Sequence, residues 1–442
     1  MLNKIIKVIS EKINPGRRKV FTNISWLLGE RVFRMAVSFL LLAWTARYLG
    51  VNDFGLLNYA IAFSDMFSPL FQLASSQIVF RDLVTHPSEK EEILGTAALL
   101  KFIIGIFVFI LAVGTIFFLQ PNDSLTIKLV FIISIPSLIS GFSIIESWFQ
   151  SQVEMKYTIW ARNSVFIITT LMRIVLLELQ APLIFFAWLV VIESVLNTLG
   201  FISIYHLTKQ SILAWRANWE RAKNLMRISW PLILSSLSII VYLRIDQVML
   251  GQLADAKAVG IYAIAVRLSE VWPFASTAIV KSVSPSIIAA RKDSEEVYYK
   301  KIQKLCNLQA ALVYCIAIPM TFLSTPLVTL LFGKDFAPAG IVLSIHIWSA
   351  MFLFLGYVKE VWIITEGLTG FAFAFSFAGA IMNLILNFLL IPKYREVGAA
   401  IATVISYGFA DYIMCFLYPP ARKFGLIMTQ AMTLNLVKVS KV

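Results

Sequence analysis

Twelve apolar segments, near 21–47, 55–80, 93–119, 125–149, 158–179, 182–206, 226–250, 258–285, 305–332, 339–365, 369–391 and 396–418, take up almost the whole chain. A helix needs about 20 apolar residues to cross a bilayer. The spacing therefore predicts an all-α, polytopic integral membrane protein with twelve transmembrane helices. Composition agrees: 59% of residues are apolar and 14% charged, against about half and a quarter in soluble domains, and the mean hydropathy is +0.80. The longest connections, around 207–225 and 286–304, are far shorter than the roughly 50 residues that a soluble catalytic domain requires.

Basic residues orient the bundle. With the N-terminus inside, the inner segments carry, among others, Arg17, Arg18, Lys19, Lys209, Arg216, Arg221, Arg291, Lys292, Lys300 and Lys301. The outer ones hold only Arg47, Lys128, Lys257, Lys334, Lys393 and Arg395. This bias predicts both termini in the cytoplasm. The net charge of +13 then reads as topology and attraction to anionic membrane lipid, not as nucleic-acid binding. Residues 1–20 form a basic lead-in, in which Leu2, Ile5, Ile6, Ile9 and Ile13 mark one face of a short helix. They are too polar for the apolar core of a secretory signal, and either lie on the inner membrane surface or stay flexible.

The two halves repeat each other. Ile24-Ser25-Trp26 answers to Ile228-Ser229-Trp230, Leu49-Gly50 to Leu250-Gly251, and Tyr59-Ala60-Ile61-Ala62 to Tyr262-Ala263-Ile264-Ala265, in one order and about 200 residues apart. Six helices per half keep both repeats in the same orientation, so a pseudo-two-fold axis along the membrane normal is expected. The domains are then a six-helix bundle at 21–206, a cytoplasmic linker at 207–225, a second bundle at 226–418 and a cytoplasmic tail at 419–442. Transporters built from such repeats bind substrate between the halves. Pro69, Pro136, Pro231, Pro273 and Pro319 fall inside predicted helices, where each removes a backbone donor and invites a kink.

Ionisable residues at membrane depth mark function by default. Arg31 and Arg34 share a face of the first helix, roughly 15–20 Å from its start at 1.5 Å per residue. Arg267 reaches a similar depth on the eighth. Guanidinium forks suit phosphate oxygens, so these three are the candidate substrate-binding residues for an anionic group, with structural ion pairing as the competing reading. Glu30, Asp65, Asp246, Glu270 and Asp411 are candidate coupling or cavity charges, for H⁺ or Na⁺. For Arg244 and Asp246, which lie two apart on different helix faces near the outer end, the structural reading leads. Lys101, Lys281 and Lys359 are within snorkelling reach of the inner surface. Cys306, Cys315 and Cys415 are scattered and odd in number, which gives neither a disulfide framework nor metal-ligand spacing. His86, His206 and His346 are far apart, and no phosphate-cradling Gly-rich motif occurs. No catalytic residue, metal or cofactor is predicted.

Two motifs carry a resemblance. Ala46-Arg47-Tyr48-Leu49-Gly50, followed by Asp53-Phe54-Gly55-Leu56-Leu57-Asn58-Tyr59-Ala60, resembles the first external loop of bacterial polysaccharide-repeat flippases. Arg244-Ile245-Asp246-Gln247-Val248-Met249-Leu250, Val259-Gly260-Ile261-Tyr262 and Arg267-Leu268-Ser269-Glu270 resemble their seventh and eighth helices. These flippases belong to the multidrug/oligosaccharidyl-lipid/polysaccharide exporter superfamily. The resemblance implies two six-helix bundles around a central cavity in the bacterial inner membrane. It implies carriage of undecaprenyl-pyrophosphate-linked oligosaccharide to the periplasmic leaflet for O-antigen, lipopolysaccharide, capsule or exopolysaccharide synthesis. Polysaccharide polymerase and chain-length machinery are the partners that such a pathway would add. A cation-coupled multidrug exporter would want an acidic or aromatic cavity, whereas the mid-depth charges of helices one and eight are arginines. The lipid II flippase is a nearer alternative, although it commonly carries two further helices. A membrane glycan polymerase or ligase usually needs a large external loop, and none is present. Reporter fusions after Lys209 and Arg291 should report cytoplasm, and fusions after Asn122 and Lys334 periplasm; a periplasmic signal at Lys209 would overturn the charge argument.

Overall fold

The computed structural model of the chain describes the backbone of residues 15–434 and the side chains from Arg34 on, except at positions 234, 235, 242 and 369. Residues 1–14 and 435–442 lie outside the described residues, as do the side chains of Glu30 and Arg31. Twelve helices form two bundles of six. The first holds α1 (15–49), α2 (51–85), α3 (Lys90–Leu119), α4 (Ser124–Ser151), α5 (Met155–Glu178) and α6 (Leu183–Leu207). The second holds α7 (Trp219–Leu253), α8 (Ala256–Asp293), α9 (Glu295–Phe332), α10 (Pro338–Thr365), α11 (369–394) and α12 (396–417). Nine described stretches are long and apolar enough to cross a membrane. Two of them, 34–85 and 370–417, contain a sharp reversal and contribute two helices each, and α7 completes the set. Among the described residues no strand occurs.

The reversals have local causes. Gly50, at φ +72°, turns α1 into α2, a conformation that costs a glycine almost nothing. Arg395, at φ +51°, does the same between α11 and α12, and its guanidinium is held by Asp255 at 2.6 Å. Partial burial raises the Asp255 pKa, but hydrogen bonds from Arg395 and the Ala258 N–H outweigh it and hold the carboxylate below its ordinary value. Three of the predicted prolines sit at real breaks. Pro69 lies in a 3₁₀ turn of α2 (Ser68–Ala74), Pro136 in one of α4 (Ile135–Ser143), and Pro273 restarts α8 after an interruption at 270–272. Pro231 and Pro319 lie within continuous helix. The breaks in α2 and α8 fall at corresponding points of the two halves, as do those in α4 and at 347–348 of α10.

The bundles meet most closely at the Gly50 end. There α2 crosses the first half of α8 so tightly that a Cβ on Gly55 would lie 1.8 Å from the Ala256 carbonyl oxygen, and one on Gly260 2.3 Å from that of Val51. Gly251 lies against the Tyr59 ring, and Gln252 Nε2 donates to the Tyr59 hydroxyl at 2.6 Å. Phe39 meets Phe332 and Phe54 meets Phe336 edge-on, and Arg47 donates to the Leu330 carbonyl. The second half of α8 (Pro273–Asp293) instead packs mainly on α9 and α10 of its own bundle. At this opposite, linker end, 207–218 is docked rather than free. The Asn218 N–H donates to Thr96 Oγ1 at 3.0 Å, the Arg216 backbone covers Gly95, and Arg221 pairs with Glu89 and Glu92 of the first bundle. Ala222 and Leu225 of α7 join a core with Ala74, Ile78, Leu100 and Ile104.

The tail adds a short amphipathic helix, α13 (Arg422–Met432), laid along α9. Gln303 donates to the Ile427 carbonyl, Tyr314 donates to that of Met432, and Lys423 pairs with Glu295. The glycine crossing is open to test. Overpacking costs about 1–3 kcal/mol, so Gly55→Leu should part the bundles at that end. In a Cys315→Ser background, a cysteine at the fully buried Ala258 should resist a maleimide probe, and should label once Gly55 is replaced. Continued protection in a normally folded variant would mean that the glycines do not hold this end closed.

Candidate functional site

The mid-depth charges fall into three groups. Arg34 turns toward α5, where it donates to Asn163 Oδ1 at 2.8 Å and lies 4.6 Å above the Phe166 ring. Arg267 stands exposed in the last turn before the break in α8, close enough to Asp65 of α2 for the two charges to interact. Arg244 of α7 reaches the same carboxylate, Nε to Oδ2 3.6 Å. Asp65, Arg244 and Arg267 thus gather from α2, α7 and α8 on both sides of the line between the bundles. They lie roughly 13–22 Å from the Gly50 end of their helices at 1.5 Å per residue. Asp65 is 43% exposed and Arg244 21%, so neither is sealed in protein. Arg31 and Glu30 fall outside the described side chains, Arg34 is engaged by α5, and Arg267 shares Asp65 with Arg244.

Arg244 and Asp246 lie on different helix faces, as expected, and meet different partners. Two residues apart on a helix, they point in different directions: Arg244 faces the first bundle, whereas Asp246 enters the core of the second. Asp246 is 3% exposed. Its Oδ2 accepts from Tyr262 Oη at 2.5 Å and Thr403 Oγ1 at 2.6 Å, and its Oδ1 accepts from Asn387 Nδ2. Asn387 Nδ2 also donates to Asn383 Oδ1, and Asn387 Oδ1 is buried without a partner. Among the described residues no cation pairs with Asp246. A buried charge with only neutral donors around it is costly. A cavity of about 50 Å³ connects it to Ser269, His346, Tyr407 and the exposed Glu270, enough for a water or a small cation. Tyr262, Asn383, Asn387 and Thr403 escaped the sequence reading. The signal was there in two asparagines four apart, on one face of an otherwise apolar helix.

Two lysines expected to snorkel do not. Lys101 is 7% exposed and donates to Ser76 Oγ and Ser143 Oγ. Lys359 is 4% exposed, 2.7 Å from Asp411 Oδ1, and donates to the Ala410 carbonyl. Both meet non-α backbone: Ser143 ends the 3₁₀ turn of α4, and 410–411 lie in a π turn of α12 (Phe409–Ile413). Two serine hydroxyls hold the Lys101 ammonium inside, and the Asp411 carboxylate with the Ala410 carbonyl holds that of Lys359. Asp411 is therefore engaged by Lys359, as Glu146 is by Arg162 at 2.6 Å. Lys281 is exposed, and Arg173 interacts with Glu193. Among the described residues no three His, Cys, Asp or Glu side chains converge as metal ligands.

Residues 20–290 match the family of the polysaccharide biosynthesis protein. The chain is 23% identical over 401 residues to the capsular polysaccharide biosynthesis protein CapF of Staphylococcus aureus, covering 87% of this chain and 95% of CapF. It is 24% identical over 231 residues to the probable flippase AglR of Haloferax volcanii, covering 50% of this chain and 47% of AglR. In fold it resembles the inward-facing conformation of a multidrug resistance MATE family transporter of the MOP superfamily, with a TM-score of 0.72 at 12% identity over 89% of this chain and 95% of that one. It also resembles the lipid II flippase MurJ in an inward closed conformation, with a TM-score of 0.70 at 15% identity over 93% and 92%. At such identities the structural likeness speaks for the fold alone. The family match covers more than half of the chain, and with it the chain belongs to the polysaccharide biosynthesis protein family.

Proposed function

We propose that this protein is a flippase that moves undecaprenyl-pyrophosphate-linked oligosaccharide repeat units from the cytoplasmic to the periplasmic leaflet of the bacterial inner membrane, both termini being cytoplasmic. The carrying observation is the Asp65–Arg244–Arg267 group, set at mid-depth where the two bundles face each other. A pyrophosphate entering there exchanges the Arg244–Asp65 contact for a charge-assisted one to a group with more charge and more acceptor oxygens. Arg267, exposed beside it, supplies a second fork, and Arg31 and Arg34 remain candidates for the same anion. The same exchange supports alternating access, because it breaks a link between the bundles when substrate arrives. With the linker end in the cytoplasm, the glycine crossing closes the periplasmic side, which favours loading from within.

Asp246 is the coupling group in this reading, taking up a proton or Na⁺ through the small cavity that leads from Glu270. Either cation would neutralise the buried carboxylate, and Na⁺ would also find Asn387 Oδ1 and Thr403 Oγ1 as oxygen ligands. A drug-exporter reading has less support, since two arginines and one carboxylate gather at the interface between the bundles.

Deletion of the gene should strand lipid-linked repeat units on the inner leaflet and abolish one surface polysaccharide. Unchanged glycans with heightened sensitivity to cationic drugs would overturn the flippase reading. Losing one charge-assisted contact costs about 1.5–3 kcal/mol, so Arg244→Ala or Arg267→Ala should weaken substrate binding about ten- to a hundredfold at normal membrane levels. Arg→Lys should restore it only in part, because the ammonium keeps the charge and loses the fork. Asp246→Asn should leave substrate binding intact and remove the dependence of transport on the ion gradient. Equal dependence in the variant would exclude Asp246 from coupling.

A further inference from the structure

The seam between α2 and α7 carries a second feature beside the charged group. A cleft of about 320 Å³ opens there, walled by Phe63, Met66 and Phe67 of α2 and by Ile233, Leu237 and Val248 of α7. Its geometry follows from the two helices. Positions 233, 237, 244 and 248 are spaced by 4, 7 and 4, so at 3.6 residues per turn they fall on one face of α7. Arg244 is the only ionisable residue in that stripe. Across the seam α2 leaves α-helical geometry at Ser68, where Pro69 cannot donate a backbone hydrogen bond, and this loosened turn borders the cleft. Asp65, which contacts Arg244, lies between Phe63 and Met66. An apolar groove and a cation-lined anion site thus occupy the same short length of the same two helices.

We infer that this cleft holds the pyrophosphate-proximal isoprenyl units of the lipid-linked substrate, next to the arginines that hold its pyrophosphate. The inference rests on the flippase reading and deepens it. A glycan in the cleft would leave its hydroxyls unpaired against hydrocarbon walls, a loss of at least ~1–3 kcal/mol each. An apolar chain incurs no such cost and removes aromatic and aliphatic surface from water. Arg244, interrupting the stripe between Leu237 and Val248, selects an amphiphile whose anionic head is joined directly to its chain. Because the cleft has one wall in each bundle, a chain lodged in it would be gripped or released as the bundles move, so that head and tail travel together.

The test uses the full-length protein in nanodiscs, a benzophenone-bearing polyprenyl pyrophosphate as photoprobe, and binding of inorganic pyrophosphate as a separate measure of the head site. Crosslinks should map to 63–70 and 233–248, and undecaprenyl pyrophosphate should suppress them where excess phosphatidylglycerol does not. Val248→Trp and Met66→Trp, which fill the cleft from opposite walls, should each lower crosslinking at least tenfold and leave pyrophosphate binding unchanged. The map on the unmodified protein stands whether or not those variants fold. Crosslinks elsewhere, with pyrophosphate still bound, would overturn the tail site alone, as would suppression by phosphatidylglycerol to the same extent. Binding of neither pyrophosphate nor the probe would overturn the flippase reading along with it.

Discussion

Two glycines, Gly55 and Gly260, let the backbones of α2 and α8 touch where any side chain would force them apart. Most of the arrangement follows from that contact. Helices that meet at one end and are broken part-way along need not meet at the other, and α8 is broken at 270–272. Its second half turns to its own bundle. The charged group of Asp65, Arg244 and Arg267 sits below the crossing, where α2 and α8 have begun to separate while α7 stays packed on α2. A bulkier residue at the crossing would widen this end and remove the asymmetry that gives the interface between the bundles a closed side.

The ion pairs divide into two kinds with different consequences. Lys359 with Asp411 and Arg162 with Glu146 join helices inside one bundle. In low dielectric, breaking such a pair leaves a charge uncompensated, so these contacts oppose deformation of the bundle as a unit. Arg244 with Asp65 spans the two bundles, is longer, and is partly open. A contact of that kind is cheap to exchange. Rigid interiors with a replaceable link among the contacts between them make an assembly that an anion can rearrange without unfolding any part of it.

The number of helices and their approximate positions were legible in the sequence, because hydropathy reports depth, although α7 and α9 begin at Trp219 and Glu295, ahead of the expected 226 and 305. Azimuth was less legible. Arg244 and Asp246, two apart on a helix, are sent to different faces, but only the packing of α2 and α11 decides what each one meets. Lys101 and Lys359 were misjudged for a related reason. Lys101 finds two serine hydroxyls and Lys359 a carboxylate and a π-turn carbonyl, and nothing in a hydropathy pattern announces a π turn at Phe409–Ile413. The close approach at Gly55 and Gly260 was visible only as motif letters.

The docked linker separates two boundaries that a repeat protein is usually assumed to share. By ancestry the second unit begins after α6, where the duplicated pattern restarts. By packing, Arg221, Ala222 and Leu225 still belong to the first unit, fastened to Glu89, Glu92 and the core beneath them, while Asp246 on the same helix is bound into the second. One continuous helix is therefore rooted in its neighbour's territory. A split of the polypeptide at the ancestral junction would strip the second fragment of its footing and uncover a greasy socket on the first, so the seam of the gene is a poor guide to where the machine comes apart.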